Sequence, residues 1–332
     1  MIVEDIVAEP IDAILVHATG GPEVLAPSKI DAPAPGAGDL LVSVGAAGVN
    51  YIDTYHRRGL YPRDLPFVPG AEGAGTVVAV GADVTGYRVG DHVAWADAPG
   101  SYAAQAVVPA AKAFAVPEGV EDDVAAAAML QGLTAHYLVT STYAVKPGDT
   151  VLVHAAAGGM GLLLTQLVKA RGGKVIGTVS TPEKEALARE AGADEVIRYT
   201  ETDFVAAVRE LTGGLGVAVV YDGVGKTTFD GSLACLARRG VLALYGASSG
   251  PVPPVDPQRL NAAGSVFLTR PTLAHHIATP EEFRWRCDEL FQAIGAGRVS
   301  VRIGGRYPLA DAARAHADLE ARRTTGKLLL IP

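Results

Sequence analysis

Gly158, Gly159 and Gly161 lie close together in the stretch HAAAGGMG, between the apolar run TVLV and the segment LLLTQLVKARGG. A strand, a glycine turn and a helix in that order make a seat for an anion. The opening helix offers unpaired N–H groups and the positive end of its dipole to a phosphate. One glycine is expected to make the sharp turn, one to let backbone amides approach a pyrophosphate, and the last to let helix pack on strand. The plain alternative is a glycine-rich connection with no ligand. The strand before, the helix after and a second strand, KVIGTV, beginning at 174 weigh against it.

The end of that second strand narrows the chemistry. A unit specific for NAD places an acid there, which bonds the ribose 2′-hydroxyl and repels a 2′-phosphate. This chain continues VSTPEK, with hydroxyls at Ser180 and Thr181. Thr181 suits the cap of the next helix and Pro182 its first position. Lys184 then falls in the first helical turn, where a cation opposes the dipole unless an anion sits above it. Glu183 and Glu185 offer partial neutralisation. Tyr199 closes the third strand at the same sheet edge. Singly, Ser180 is as readily a turn residue, Lys184 a solvated helix charge and Tyr199 a half-buried strand end. Together they make a cradle for a phosphate, and the cofactor they suit is NADPH.

Other chemistry-bearing residues are less informative. GASSG, residues 246–250, satisfies the G-x-S-x-G pattern of a hydrolase nucleophile elbow. The elbow needs a helix straight after the serine, and PVPPVDP follows instead. Cys235 and Cys287 are far apart and outside any CxxC, so neither a disulfide framework nor a structural zinc is expected. His92, His136 and His154 are scattered and fit core or loop positions.

The elements that must position these residues fall into two regimes. The first third has β-branched runs between glycines: GDLLVSVGAAGVN, GAEGAGTVVAVGADV and VGDHVAWA. These imply a compact β-rich domain. From about 150, continuous apolar runs (TVLVHA, KVIGTV, EVIRY, VAVVYD, GVLALYG, SVFLT) are joined by helical segments at 160–172, 182–191, 202–212 and 227–237. That pattern implies a parallel sheet covered on both faces. A later amphipathic stretch, PEEFRWRCDELFQAIGAG, leads to a closing strand, KLLLI, which needs a sheet to join. The expected class is α/β: a β-rich domain over 1–132, a doubly wound domain over 133–270, and a return to the first domain over 271–332.

The totals bound the partners. The chain has 332 residues, 49% of them hydrophobic and 19% charged, the balance of a folded soluble protein. A formal net charge of -8 argues against nucleic acid or an anionic membrane surface, both of which select basic proteins. MIVEDIVAEP lacks the basic start of a signal peptide, and no apolar run reaches the ~18 residues of a membrane span. A cytoplasmic location is expected.

As a set and in order, GVNYIDTYHRRGLY, PFVPGAEGAGTVVAVG, HAAAGGMG, YDGVG, YGASSG and TRPTL resemble the zinc-independent quinone oxidoreductases. These zeta-crystallin relatives belong to the medium-chain dehydrogenase/reductase superfamily. The resemblance runs from about residue 12 to the C-terminus. It implies a GroES-like catalytic domain, an inserted Rossmann domain, a homodimer and NADPH-dependent reduction of quinones. It further implies that Asn50 faces the nicotinamide end and that Tyr55 and Tyr61 line the active site. Thr134, Gly158, Gly159, Met160, Gly161, Ser180, Lys184, Tyr199, Ser248, Arg270 and Arg322 fall at cofactor-contact positions. Met160 stands where valine is usual, Gly223 where serine is, and Ala247 where asparagine is; the last makes Ser248 less secure as a contact.

Metal-dependent relatives in that superfamily bind zinc through a cysteine, a histidine in a GHE-like segment and a further cysteine or acid. Here Asn50 and Ala71 occupy the first two places, so no zinc Lewis acid is expected. That favours acceptors already electrophilic. The expected reaction is hydride transfer from NADPH to a quinone beside Asn50, Tyr55 and Tyr61; the tyrosines serve either as proton donors or only as pocket walls. An enone, alkenal or enoyl-thioester reductase is the nearest alternative. A catalytically idle NADPH-binding, crystallin-like protein is the alternative of another class.

Overall fold

The computed structural model describes residues 9–332; the opening segment read above as no signal peptide lies outside the described residues through residue 8. The chain divides into two compact units. One comprises the residues up to Leu130 together with Ile303–Pro332, and the other is Gln131–Arg302.

The first unit is built around the strand Asp39–Val49, whose Leu40, Val42 and Val44 alternate inward as one face of a half-buried sheet requires. It pairs antiparallel with Glu72–Val80, with Gln105–Pro109 at its start and with Lys327–Ile331 at its end. His92–Ala96 and Ala113–Ala115 extend the sheet beyond Glu72–Val80, and Ile303–Pro308 lies parallel to Lys327–Ile331. Ile14, Val42, Trp95, Tyr102, Leu328 and Leu330 share its core. The short helix Tyr51–Arg57 follows the central strand after one residue, Asn50.

The second unit is a six-stranded parallel sheet. Its strands are β1 (Thr150–Val153), β2 (Lys174–Val179), β3 (Glu195–Arg198), β4 (Val217–Asp222), β5 (Leu236–Leu244) and β6 (Phe267–Thr269). They lie in the spatial order β3-β2-β1-β4-β5-β6. Helices α1 (Gly159–Ala170), α2 (Pro182–Glu190), α3 (Phe204–Leu211) and α4 (Phe229–Cys235) make the crossovers between the first five strands. Val151, Leu152, Val153, Val219, Val220 and Tyr221 are all fully buried, as strands covered on both faces must be. The order reverses between β1 and β4, the place where a doubly wound sheet opens a crevice at the carboxyl ends of its strands.

One expectation needs correction. The return to the first unit begins at Ile303, not at 271. The helix Pro280–Gly295 buries Phe283, Cys287, Leu290 and Phe291, and the leucine methyls of Leu290 sit where a side chain on Gly132 would be. Ala293, Ile294 and Val301 then pack against the core that holds Val151, Val153 and Leu164. An amphipathic pattern shows that a helix has a buried face, but not which of two cores receives it.

Candidate active site

The glycine turn begins at the end of β1. His154 is buried, Ala155 adopts φ 52°, and Gly158 caps α1 in extended backbone with φ −76°. The Gly158 N–H donates to the Ala155 carbonyl at 2.9 Å, and the Leu162 N–H to the Gly158 carbonyl at 2.9 Å. The left-handed residue of the turn is therefore an alanine, and none of Gly158, Gly159 and Gly161 has a positive φ. At Gly161 the glycine identity answers to space. A Cβ on Gly161 would lie 2.4 Å from the Ala155 carbonyl oxygen and 2.6 Å from the Ala156 Cα, both backbone atoms. One on Gly159 would meet the movable Gln131 side chain. The N-cap residue of α1, Gly158, has no side chain with which to cap the helix, so the first turn fits a pyrophosphate. Met160 packs on the unit's core.

Beneath this turn lies a polar network that sequence reasoning missed. The Ser232 hydroxyl donates to Asp222 Oδ2 at 2.7 Å, and the backbone N–H groups of Val224 and Gly225 donate to Asp222 Oδ1 at 2.8 and 2.9 Å. His154 lies 2.9 Å from Ser232 through Nε2 and 2.9 Å from Thr178 through Nδ1. Since the serine proton goes to Asp222, its oxygen accepts from Nε2–H, and Nδ1 accepts from the Thr178 hydroxyl. The imidazole is thus neutral, and burial holds its pKa below the usual histidine value. One network joins the carboxyl ends of β1, β2 and β4. Its serine, histidine and aspartate do not form a nucleophilic triad, because the fully buried Ser232 donates to the acid rather than to the base.

At the rim beyond β2 and β3, register sets Ser180 beside Tyr199, and Lys184 follows in the first turn of α2. Arg198 pairs with Val179, so Ser180 and Tyr199 follow adjacent partners. The Tyr199 N–H donates to the Val179 carbonyl at 3.1 Å, and the Thr200 hydroxyl to the Ser180 carbonyl at 3.0 Å. Thr181 caps α2 by accepting from the Lys184 N–H at 3.3 Å, with Pro182 in the first position. Glu185 is engaged by Arg189 at 3.0 Å and by Arg198 at 3.2 Å.

GASSG forms a tight loop after β5. The Ser248 N–H donates to the Gly223 carbonyl at 3.2 Å, the Ser249 hydroxyl donates to the Val224 carbonyl at 2.7 Å, and no helix begins before Gln258. The departure at Gly223 has a local reason: a Cβ there would press on the Tyr245 ring at 2.8 Å. Thr134 is buried within the helix Asp122–Tyr137, and Arg270 is exposed just past β6, in the same unit. Burial pushes the Cys235 thiol up to about 12 and Cys287 higher still, so both are core residues rather than nucleophiles.

In the first unit, Asn50 is 4% exposed. Its Nδ2 donates to Glu72 Oε1 at 2.6 Å and its Oδ1 accepts from the Lys327 ammonium at 2.7 Å. Lys327 also contacts Glu72 directly, and Glu72 Oε2 accepts from the Leu130 N–H at 2.6 Å. Tyr55 and Tyr61 stand edge to face, with ring centroids 5.5 Å apart; Tyr61 is 40% exposed and Tyr55 buried. Arg322 adopts φ 57° beyond the helix Ala312–Glu320 and hydrogen-bonds the Tyr51 side chain. Among the described residues no three His, Cys, Asp or Glu side chains gather as a metal set.

A second buried chain runs behind Asn50. The Asn50 N–H donates to Asp53 Oδ2 at 2.9 Å, and the Tyr102 hydroxyl donates to the same oxygen at 3.1 Å. Tyr102 is 2.9 Å from His316 Nε2, and His316 Nδ1 is 3.1 Å from Arg57 Nη1. Arginine can only donate, so Nδ1 accepts and Nε2–H donates to Tyr102. Burial, with the Arg57 charge, pushes His316 down to about 3, and burial pushes Asp53 up to about 7. The chain has a single direction and ends on a guanidinium that does not release protons, so it is no proton wire. Neither buried network was legible in spacing.

Residues 36–141 match the family model described as alcohol dehydrogenase GroES-like domain, and residues 159–290 match the one described as zinc-binding dehydrogenase. The chain is 48% identical over 317 residues to a quinone oxidoreductase of Pseudomonas aeruginosa, covering 95% of this chain and 98% of that protein. It is 42% identical over 329 residues to a 2-haloacrylate reductase of a Burkholderia species, covering 96% and 98% respectively. A solved mycobacterial structure described as complexed with NADPH shares 58% identity at a TM-score of 0.94, over 97% of this chain and 100% of that one.

Proposed function

The chain belongs to the quinone oxidoreductase family of the medium-chain dehydrogenase/reductase superfamily, and on that premise we propose that it oxidises NADPH by hydride transfer to a quinone. The observation that carries the cofactor choice is the rim of the parallel sheet. No acid follows β2, and Ser180, Lys184 and Tyr199 stand at neighbouring strand and helix ends. A helix dipole and an ammonium there attract a 2′-phosphate, which an acid would repel.

The first turn of α1, from Gly158 to Gly161, holds the pyrophosphate; Thr134, Ser248, Arg270 and Arg322 are further contacts. Bound NADPH supplies the hydride. Asn50 orients the nicotinamide end, and the edge-to-face pair Tyr55 and Tyr61 gives a flat, apolar acceptor a wall. The Glu72 carboxylate, next to the position where metal-dependent relatives carry a histidine, is already paired with Lys327, which supports chemistry without a metal. The enzyme works as a cytoplasmic homodimer; support for the dimer comes from Phe267, 61% exposed on the edge strand β6.

A second reading has its own observation. The relative named 2-haloacrylate reductase suggests an activated alkene as acceptor. Steady-state rates with a benzoquinone, an alkenal and a haloacrylate, each with NADPH and NADH, separate the two readings. Lys184→Ala is expected to weaken NADPH by ~1–3 kcal/mol, roughly 5- to 150-fold in Kd, and to leave NADH nearly unchanged. Equal affinities of the unaltered enzyme for the two nucleotides refute the cradle.

A further inference from the structure

We propose that Lys327 is a positioning residue for hydride transfer: its ammonium and the Glu72 carboxylate together hold the Asn50 amide in one orientation. This inference rests on the reading of Asn50 given above and adds what fixes that side chain. The two ends of the amide face opposite charges. Oδ1 takes a hydrogen bond from Lys327 at 2.7 Å, while Nδ2 donates to Glu72 at 2.6 Å. Turning the amide over would set its NH2 against an ammonium and its carbonyl against a carboxylate. Two charge-assisted hydrogen bonds would be exchanged for two repulsions in a site where Asn50, Glu72 and Lys327 are 4%, 0% and 1% exposed.

The backbone is shaped for this pair. Glu72 lies across the central strand at Gly48, where a Cβ would stand 2.2 Å from Oε1 and 2.5 Å from the carboxyl carbon. Its other oxygen is held by the Leu130 N–H at 2.6 Å. Lys327 arrives from the opposite end of the chain, on the strand whose next residue, Leu328, pairs with Val49. Asn50 is itself fixed at its backbone by Asp53 at 2.9 Å. The main chain is thus set by one network and the amide plane by another.

Single-turnover oxidation of NADPH by a quinone, read in Lys327→Met, Asn50→Ala and the double variant, tests the assignment. Lys327→Met should slow hydride transfer about 10- to 100-fold while the NADPH Kd stays within about threefold. The double variant should be no slower than Asn50→Ala, because Lys327 acts through the amide. Multiplied losses in the double variant, or a full-rate Lys327→Met beside a slowed Asn50→Ala, overturn the proposal and leave the nucleotide assignment intact. Asn50→Ala at the unaltered rate removes the reading of Asn50 and this proposal with it. If Lys327→Met fails to fold with Glu72 left unpaired, Glu72→Gln/Lys327→Met removes both charges and is held to the same comparison.

Discussion

Asp53→Asn should change how stability depends on pH, and the structure sets the size of the change. Asp53 is fully buried; Oδ2 accepts from the Asn50 N–H and the Tyr102 hydroxyl, and Oδ1 has no hydrogen-bond partner among the described residues. Burial raises its carboxyl from 3.8 to about 7, against the lowering influence of the Asn50 N–H, Lys327 and Tyr102. Its folded pKa is above the unfolded one, so the native state holds the proton more tightly. The stabilising contribution is complete below about pH 4 and is lost as pH rises through about 7. Three pKa units correspond to ~4 kcal/mol, of which ~3 kcal/mol falls between about pH 5 and pH 8.5. Asparagine accepts the same two hydrogen bonds and cannot ionise. The stability of the variant relative to the parent should therefore rise by ~3 kcal/mol across that interval. Urea denaturation at the two pH values measures it, and subtraction cancels the groups common to both proteins. In a Trp285→Phe background, Trp95 is left as the single tryptophan, and it lies in the same unit as Asp53. A difference that stays constant with pH would show that Asp53 ionises in the ordinary carboxylate range and would refute the prediction.

Two further substitutions probe the α/β unit. Gly161→Ala must displace the Ala155 carbonyl and should destabilise the protein by ~1–3 kcal/mol, with NADPH binding lost more steeply than stability; calorimetric titration and thermal melts read the two effects. Ser232→Ala removes the link between His154 and Asp222 and should lower the unfolding free energy by ~1–3 kcal/mol in denaturant titrations.

Much of the α/β unit was legible because its signals are local. A glycine turn between an apolar strand and a helix, and hydroxyls where an acid would stand, are patterns within about thirty residues of one another. The placing of Ser180, Lys184 and Tyr199 at neighbouring strand and helix ends follows from strand ends alone. What spacing could not disclose was contact across the chain. Lys327 meets Asn50 over a separation of 277 residues, and Tyr102 meets His316 over 214. Such pairs exist only once the C-terminal helix and strand have packed on the first unit. The helix Pro280–Gly295 failed for a related reason: its periodicity marked a buried face, while the choice of core depended on the gap left by Gly132. In one respect the turn departs from its glycine pattern: its bend is made by Ala155 and not by a glycine.

That displacement of the bend has a bearing on redesign. At Gly161 missing volume, not backbone freedom, is what glycine contributes, so exchanging it to stiffen the loop attacks the wrong variable. The one position under conformational tension carries a methyl group in a left-handed backbone, a penalty of roughly 1 kcal/mol. Glycine at 155 would release that tension while enlarging the freedom of the unfolded chain, two contributions of similar size and opposite sign. Residue 155 is accordingly where the loop can be retuned at almost no net change in folding free energy, and residue 161 is where it cannot be touched.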